Sequence, residues 1–340
     1  MIACYAAWNR KKDELVQSTS GGVFSALAEL ILSAGGIVVG VAYGKGLRVE
    51  YRVAHNSNEL AALRGVKYVF SALERGVLME MERVLAARRP VMFVGVPCQA
   101  AAIRKRFGED RDLLLCDLVC FGTPPNSIWL KYVEWMERES GKSLKCISPR
   151  DKSKGWGKKT YYRYDWMDGT VTRRLSIFDP YAQAFYTTLA FRECCFNCQF
   201  RGVVRISDLT LCDMWNVQAL DLPASVLHGG VSGVMVHSAL GDEIFKKADV
   251  DRRKISPDVF VQENFPVFHS ARKPSAWEPF NADSQKLSFG DLARKYRLFH
   301  RPVEFALSQA CDFLKILIWR MLPGRVKDSI KSNSMNAEGC

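Results

Sequence analysis

The stretch of residues 91–122, VMFVGVPCQAAAIRKRFGEDRDLLLCDLVCFG, indicates the fold most directly. Two apolar runs of strand length, Val91–Val94 and Leu113–Val119, lie on either side of a segment with helical periodicity from Gln99 to Phe107. Glycine and proline follow both apolar runs. The order strand, helix, strand predicts a βαβ unit with parallel strands.

The same alternation extends over the first 145 residues. A helix is predicted over Gly21–Leu32 with Ser20 as its N-cap, and the apolar run Ile37–Tyr43 is typical of a buried strand. A further helix is predicted over Ile128–Arg138. We therefore expect an α/β fold whose N-terminal domain contains a largely parallel sheet.

The second half of the chain has a mixed pattern. Asp168-Gly169 between two strand-like runs predicts a β-hairpin, and a helix is expected over Tyr181–Arg192. Residues 257–283 are rich in proline and asparagine and are predicted to form a covering loop. We expect a mixed α+β domain that contains cysteines. The predicted domain ranges are 1–145, 146–290 and 291–340, the last being a basic amphipathic tail.

Composition narrows the class of protein. The 340 residues are 48% hydrophobic, which is ordinary for a globular protein with two cores. The first residues carry charge too early for a signal peptide, so we expect a cytoplasmic protein whose eleven cysteines stay reduced unless they bind something. The net charge of +12 comes with no nucleic-acid-binding motif, and we expect no nucleic-acid partner.

Part of the positive charge lies in the tail. Residues 294–331 contain nine Lys or Arg and three acidic residues, a net of 9 − 3 = +6. The segment Val303–Leu322 predicts an amphipathic helix with too many charges to span a bilayer. Peripheral contact with the inner face of a membrane and packing on the protein's own core both remain open.

Four cysteines stand out by position. Cys98 and Cys120 each follow the carboxyl end of a predicted parallel strand, the edge at which open α/β sheets bind ligands. Cys195 and Cys198 form a C-x-x-C pair that can complete a set of four thiolates. Such a set suits zinc or an iron–sulfur cluster, and Cys194 could replace Cys195 in it.

A second candidate site is the turn Gln17-Ser-Thr-Ser-Gly-Gly-Val23. Hydroxyls, glycines and free backbone N–H groups at a helix start can bind phosphate, although an ordinary N-cap has the same appearance. Lys67 and Tyr68 add a cation and a ring to the same half of the chain. No G-x-G-x-x-G and no Walker loop are present.

Together these segments resemble the family of the beta subunit of coenzyme F(420)-reducing hydrogenase and dehydrogenase. The resemblance covers roughly Cys4–Asp283, and its segments occur in order. They are Ser18–Gly22, Gly65–Tyr68, Gly95–Gln99, Asp117–Cys120, Arg150–Lys152 with Gly155-Trp156, Cys195–Cys198 and Ser207–Trp215.

The resemblance implies an oxidoreductase that binds FAD and one 4Fe–4S cluster and takes electrons from, or gives them to, an external hydride carrier such as a deazaflavin. It implies a flavin-binding domain over 1–145 and an iron–sulfur domain over 146–290. The implied cluster ligands are Cys98, Cys120, Cys195 and Cys198. The implied flavin-site residues are Ser18, Thr19, Ser20, Gly21, Gly22, Lys67, Tyr68, Gly95, Pro97 and Gln99.

The resemblance also bears on partners. Many bacterial relatives carry a ferredoxin-like domain in front, whereas the resemblance here begins within the first residues, so we expect a separate ferredoxin-like protein or a partner subunit. Bacterial relatives often occur with polysaccharide biosynthesis. Val96 and Phe121 stand where the family usually has Thr and His, which leaves the hydride partner open. A zinc-stabilised, non-catalytic binding or scaffold protein with the same fold is the alternative.

Overall fold

A mixed sheet of eight strands organises the chain in a computed structural model. The structure describes residues 1–299 except Lys158, Asn216 and Glu263, and it leaves out the side chains of Gln218 and Ala219. The predicted tail helix Val303–Leu322 lies outside the described residues.

The strands are β1 (Ala3–Asn9), β2 (Ile37–Tyr43), β3 (Val49–Ala54), β4 (Val91–Gly95), β5 (Leu113–Leu118), β6 (Leu144–Asp151), β7 (Tyr161–Trp166), β8 (Val171–Leu175), β9 (Leu209–Asp213), β10 (Ser232–Val236) and β11 (Val250–Ile255). The helices are α1 (Lys12–Gln17), α2 (Val23–Ser33), α3 (Ser57–Leu63), α4 (Arg75–Ala86), α5 (Pro97–Phe107), α6 (Asn126–Ser140), α7 (Pro180–Tyr186), α8 (Ala224–Gly229), α9 (Ala239–Lys247), α10 (Pro257–Val261), α11 (Trp277–Lys286) and α12 (Phe289–Lys295).

The large sheet has the order β11-β1-β10-β9-β5-β4-β2-β3. Its centre is parallel, since β2 pairs with β4, β4 with β5, and β5 with β9 in the same direction. Antiparallel pairs complete the sheet on both sides of this centre. The predicted α/β fold is confirmed.

Burial on both faces explains the continuous apolar runs of β4 and β5. Met92 belongs to the core on one face of the sheet and Phe93 to the core on the other. Helix α2 covers the first of these faces with Val23, Leu27 and Ile31. Parallel strands covered by helices on both faces need apolar side chains at every position, so no polar alternation is seen.

A second sheet has the order β6-β7-β8 and packs with α6 and α12 on an aromatic core. The hydroxyl groups of Tyr132 and Tyr164 donate to the buried carboxylate of Asp179 at 2.7 and 2.5 Å. The predicted hairpin is present as β7 and β8, and its tyrosines pack in this core. Strands from both sides of residue 145 build the large sheet, and the predicted domain boundaries stay predictions.

Two sequence predictions in the second half are wrong. Residues 257–283 contain helix α10 and most of α11 rather than an uninterrupted loop. Pro257 occupies the first position of α10, where proline starts a helix instead of preventing one. Ser256 caps α10 by accepting from the N–H of Val259. The helix expected over Tyr181–Arg192 ends at Tyr186. None of the helices in the described ranges is long and apolar enough to cross a bilayer.

Candidate functional site

Cys98 and Cys120 lie at the same edge of the large sheet. Gly95 and Asp117 are register partners at the ends of the parallel strands β4 and β5. Each cysteine comes three residues after one of these partners, Cys98 in the first turn of α5 and Cys120 in the loop after β5. The sheet register therefore delivers both thiols to one place, the location predicted from the sequence.

The C-x-x-C segment joins this edge through Thr123. The N–H of Arg192 donates to the Thr123 carbonyl at 3.3 Å, and the Thr123 hydroxyl lies 4.0 Å from the Cys195 sulfur. Cys195 ends a short 3₁₀ turn, Glu193–Cys195, so its position is fixed by backbone hydrogen bonds on both sides. A turn more than seventy residues away thus meets the loop that follows Cys120.

The four thiols lie close enough for their charges to act on one another. Burial raises the pKa of Cys98 to about 11 and that of Cys120 to about 12, and the charges of Cys195 and Cys198 add to both shifts. Four thiols that repel one another as thiolates favour a bound cation between them. Across the described part of the chain, however, no three His, Cys, Asp or Glu side chains already form a group that could hold a metal ion.

The donor set nevertheless fits a cluster. Soft thiolates from one sheet edge and one turn are the ligands that iron–sulfur clusters use. The Cys198 N–H donates to the Ser270 hydroxyl at 3.3 Å, and the Arg201 guanidinium donates to the same hydroxyl at 3.0 Å. Arg201 also reaches the carbonyl of Pro266 at 2.7 Å. Cys194, by contrast, is exposed.

The Ser18–Gly22 turn is held on several sides. The Thr19 hydroxyl accepts from the N–H of Val66 at 3.0 Å, and the Ser20 hydroxyl donates to the Val231 carbonyl at 2.8 Å. Helix α2 follows directly, with Gly22 as its N-cap at φ +75° instead of the predicted Ser20. The turn is therefore a fixed loop at a positive helix end, with its glycine in the left-handed region.

Gly21 has a packing role of its own. A Cβ atom there would lie 2.4 Å from the Ala7 carbonyl oxygen and 2.5 Å from the Ser232 nitrogen. These two residues are register partners in strands β1 and β10, so the turn rests directly on the sheet. The Gly21 N–H donates to the Ser232 hydroxyl at 2.9 Å.

Lys67 and Tyr68 lie beside this turn. Four carbonyl oxygens at the end of α3 share the three N–H groups of the buried Lys67 ammonium, and the shortest contact is 2.7 Å to Arg64. Burial lowers the pKa of Lys67 to about 7. Tyr68 has a φ of +45°, a strained value for an aromatic residue, of the kind that clusters at functional sites.

The chain after Tyr68 connects the turn with the thiols. The Arg192 guanidinium lies 3.6 Å above the Phe70 ring. The carbonyl of Ser71 accepts from the Gln99 amide at 2.5 Å, and Gln99 in turn accepts from the Tyr51 hydroxyl at 2.6 Å. The predicted residues Gly95, Pro97 and Gln99 therefore lie within the same continuous region as Tyr68 and Cys98.

The sequence predicted no role for one further cluster. Arg150 and Asp213 form a salt bridge at 2.9 Å, and Trp156 donates its ring N–H to Asp213 at 3.2 Å. The rings of Trp156 and Trp215 stack at 5.2 Å between centroids. Lys152 donates to the carbonyls of three residues, and burial lowers its pKa to about 7. The acceptors are Leu15, Ser20 and Gly229, at 2.5, 2.8 and 2.5 Å.

This cluster borders the predicted flavin residues. The Arg150 guanidinium approaches the Tyr68 hydroxyl at 3.5 Å, and Lys152 bonds within the Ser18–Gly22 turn. On its other side, Tyr68 packs in an aromatic group that includes Phe185 and extends to Cys195. The signal was present in the sequence, since Arg150, Lys152, Trp156, Asp213 and Trp215 all lie in segments of the family resemblance, but spacing alone gave them no chemical role.

Two family descriptions match the chain, and both belong to the beta subunit of coenzyme F(420) hydrogenase/dehydrogenase. The description of its N-terminal part matches residues 4–76, and the description of its C-terminal part matches residues 88–257. Together the matches cover more than half of the 340 residues. No curated protein sequence matches the chain.

Solved structures share the fold. One of them is a chain of the F(420)-reducing nickel–iron hydrogenase complex from Methanosarcina barkeri, in a xenon derivative, with a TM-score of 0.52 and 18% identity. The alignment covers 78% of this chain and 89% of that chain. The likeness extends over most of both chains and concerns the fold.

Proposed function

The chain belongs to the coenzyme F(420) hydrogenase/dehydrogenase beta subunit family, an oxidoreductase family, and we propose that it is a flavin- and iron–sulfur-dependent electron-transfer enzyme. The observation that supports this proposal is the position of Cys98 and Cys120 at one sheet edge, with the Cys195–Cys198 turn held against that edge through Thr123. A strained and aromatic segment leads from there to the Ser18–Gly22 turn.

In this proposal the thiols of Cys98, Cys120, Cys195 and Cys198 hold a 4Fe–4S cluster. Arg192 lies beside them, and its positive charge favours the thiolate forms of Cys98 and Cys195. Arg201 bonds to the Ser270 hydroxyl, which also accepts from the Cys198 N–H. The thiols must lose their protons to bind metal, so binding releases protons and adds stability to the folded state.

In this proposal, FAD binds at the Ser18–Gly22 turn. The first N–H groups of helix α2 and the hydroxyls of Ser18 to Ser20 would bind the phosphates of FAD, with the Ser18 and Ser20 hydroxyls turning away from the Glu14 and Val231 carbonyls that they bond in this structure. Tyr68, Gly95, Pro97 and Gln99 would line the route toward the thiols. When bound, FAD exchanges two electrons with a hydride carrier and single electrons with a cluster. Phe121 packs against Phe185 and Phe191, so an apolar ring occupies the position of the usual histidine.

Further parts of the proposal concern the surroundings of the site. We propose that one electron partner is a ferredoxin-like protein or a partner subunit, and that the other is a deazaflavin or another hydride carrier. We also propose a role in polysaccharide biosynthesis, which the resemblance to bacterial members supports. The basic tail is proposed to touch the inner face of the membrane. Flotation with anionic vesicles tests the tail, and unchanged association after deletion of residues 302–340 contradicts that part.

An absorbance spectrum of protein purified without oxygen, combined with iron, zinc and flavin analysis, tests the main proposal. Flavin bands with a broad thiolate-to-iron shoulder are the expected result. A colourless protein that contains zinc instead supports the alternative, a zinc-stabilised binding or scaffold protein with the same fold.

A further inference from the structure

An exposed apolar patch borders the thiol site. Val204 is 83% exposed and Phe268 52%, values that are high for residues of their size. Single exposed apolar side chains are common on protein surfaces, but here five come from two adjoining segments. The outer apolar patch consists of Phe200, Val204, Ile206, Phe265 and Phe268.

Hydrogen bonds fix the two segments of this patch to each other and to the C-x-x-C turn. The Gly202 N–H donates to the Val267 carbonyl at 2.6 Å, which places residues 200–204 against residues 265–268. Arg201 and Ser270 then connect both segments to the backbone of Cys198. The patch is therefore continuous with the protein surface directly outside the thiols.

The two segments are also basic. Residues 192–206 contain three arginines and Glu193, a formal charge of 3 − 1 = +2, and residues 263–273 contain Arg272, Lys273 and Glu263, a formal charge of 2 − 1 = +1. Arg205 is buried in an ion pair with Asp117 at 3.5 Å, and Lys273 pairs with Glu193 at 3.3 Å and with Glu278 at 2.6 Å. The remaining positive charge of the two segments is therefore that of Arg192, Arg201 and Arg272. An apolar centre surrounded by basic residues is typical of an interface that binds an acidic protein.

We propose that the outer apolar patch is the docking site of an acidic one-electron carrier protein. The inference rests on the proposed function, because it needs a redox centre at the thiols. One electron leaves the reduced carrier, which becomes oxidised, and enters the metal centre held by the thiols. Docking on the patch brings the carrier to the side on which Cys194 and the Cys198 turn reach the surface.

The test is stopped-flow reduction of the purified holoprotein by a small acidic 2Fe–2S ferredoxin, reduced beforehand. The variants Val204→Glu and Phe268→Glu place a negative charge in the patch. Met167→Glu is the matched control, since Met167 is 67% exposed at the β7–β8 turn of the other sheet. We expect the second-order rate constant to fall about tenfold in both patch variants, to stay unchanged in the control, and to fall with added salt in the parent protein.

Reduction of the same proteins by dithionite distinguishes a failure of the docking proposal from a failure of the proposed function. All variants should accept electrons from this small reductant at the parent rate and should hold equal iron and flavin. Patch variants that react with ferredoxin as fast as Met167→Glu overturn the docking proposal, as does a parent protein that reacts no faster with acidic ferredoxin than with a basic carrier of similar potential. A parent protein without iron or flavin contradicts the proposed function itself.

Discussion

Arg150 and Asp213 form a two-point ion pair, with nitrogen–oxygen distances of 2.9 and 3.3 Å, that ties the small sheet to the large one. Arg150 lies near the end of β6 and Asp213 is the last residue of β9. Their side chains are only 7% and 16% exposed, and the Arg150 guanidinium lies 5.0 Å from the centre of the Trp215 ring. Burial acts to lower the pKa of Arg150, but the charges of Asp213 and Tyr68 and the hydrogen bonds to both together outweigh it and raise that pKa.

Replacing Asp213 by alanine should destabilise the protein strongly. The substitution leaves the buried guanidinium without its counter-charge, and such losses cost about 3–5 kcal/mol. The double variant Arg150→Met/Asp213→Leu removes both charges and should lose less than Asp213→Ala alone. Denaturant unfolding of the three proteins measures this, and a double variant less stable than the single one contradicts the expectation.

The sequence predicted the edge at which Cys98 and Cys120 lie, because the apolar runs of β4 and β5 are local signals and parallel strands share a common edge. It could not predict the Arg150–Asp213 pair in the same way. The two residues are 63 positions apart, and their contact depends on how two sheets meet. In the sequence, a charged residue such as Arg150 or Asp213 looks like an ordinary surface residue until its partner in the folded protein is known.

The same limit applies to Lys67. The family resemblance implied Lys67 as a flavin-site residue, whereas its ammonium lies against four carbonyl oxygens at the end of helix α3. A lysine in a loop gives no local sign of which acceptors it will reach. Its assignment to the flavin site stays a prediction.

Stability should rise with pH because of Lys67. Burial lowers the pKa of Lys67 in the folded protein from 10.5 to about 7, so between these values the unfolded chain binds the extra proton. The free energy of unfolding should therefore increase with pH across that window, by up to about 1.4 kcal/mol per pH unit for one group. Urea unfolding can be measured at roughly pH 7.5 to 9 within this window. The slope of the unfolding free energy against pH should be smaller in Lys67→Met than in the parent.

Lys154→Met serves as the control, since Lys154 is exposed. Lys152, which is also shifted downward, contributes a slope of the same sign and remains in both variants. If Lys67→Met and Lys154→Met have equal slopes, the buried ammonium is not the cause.

Gly21 should be intolerant of any side chain. In the sequence, the glycines of this turn are only candidates for binding phosphate. The contacts of 2.4 and 2.5 Å that a Cβ would make are with backbone atoms of the sheet, which cannot turn aside. Gly21→Ala should therefore lower stability by roughly 1–3 kcal/mol, a typical cost of overpacking, even without flavin.

Gly76→Ala is the comparison for Gly21→Ala, because Gly76 lies in helix α4 and a Cβ there meets nothing within 4 Å. That change should be neutral or stabilising, since alanine favours a helix. Thermal unfolding of the apoprotein measures both. A Gly21→Ala protein as stable as the parent would mean that the turn can move away from β1 and β10.

Single serine replacements of the five cysteines around the thiol site should divide into two groups. Cys98, Cys120, Cys195 and Cys198 approach one another from the sheet edge and the 3₁₀ turn, so each replacement should remove iron and weaken folding locally. Cys194 is exposed, and Cys194→Ser should keep full iron. Adjacent residues generally point in different directions, whereas a two-residue spacer lets both thiols of a turn face one ligand.

Iron per chain and the low-temperature EPR signal of the reduced protein measure this set. Loss of iron in Cys194→Ser with retention in Cys195→Ser would move the ligand register by one residue, and the hydrogen bond between Thr123 and Cys195 would then have a structural role only. Full iron in all five variants would remove the cluster from this edge. The exposed Cys194 also serves as a folding control, because its replacement alters the same turn without removing a proposed ligand.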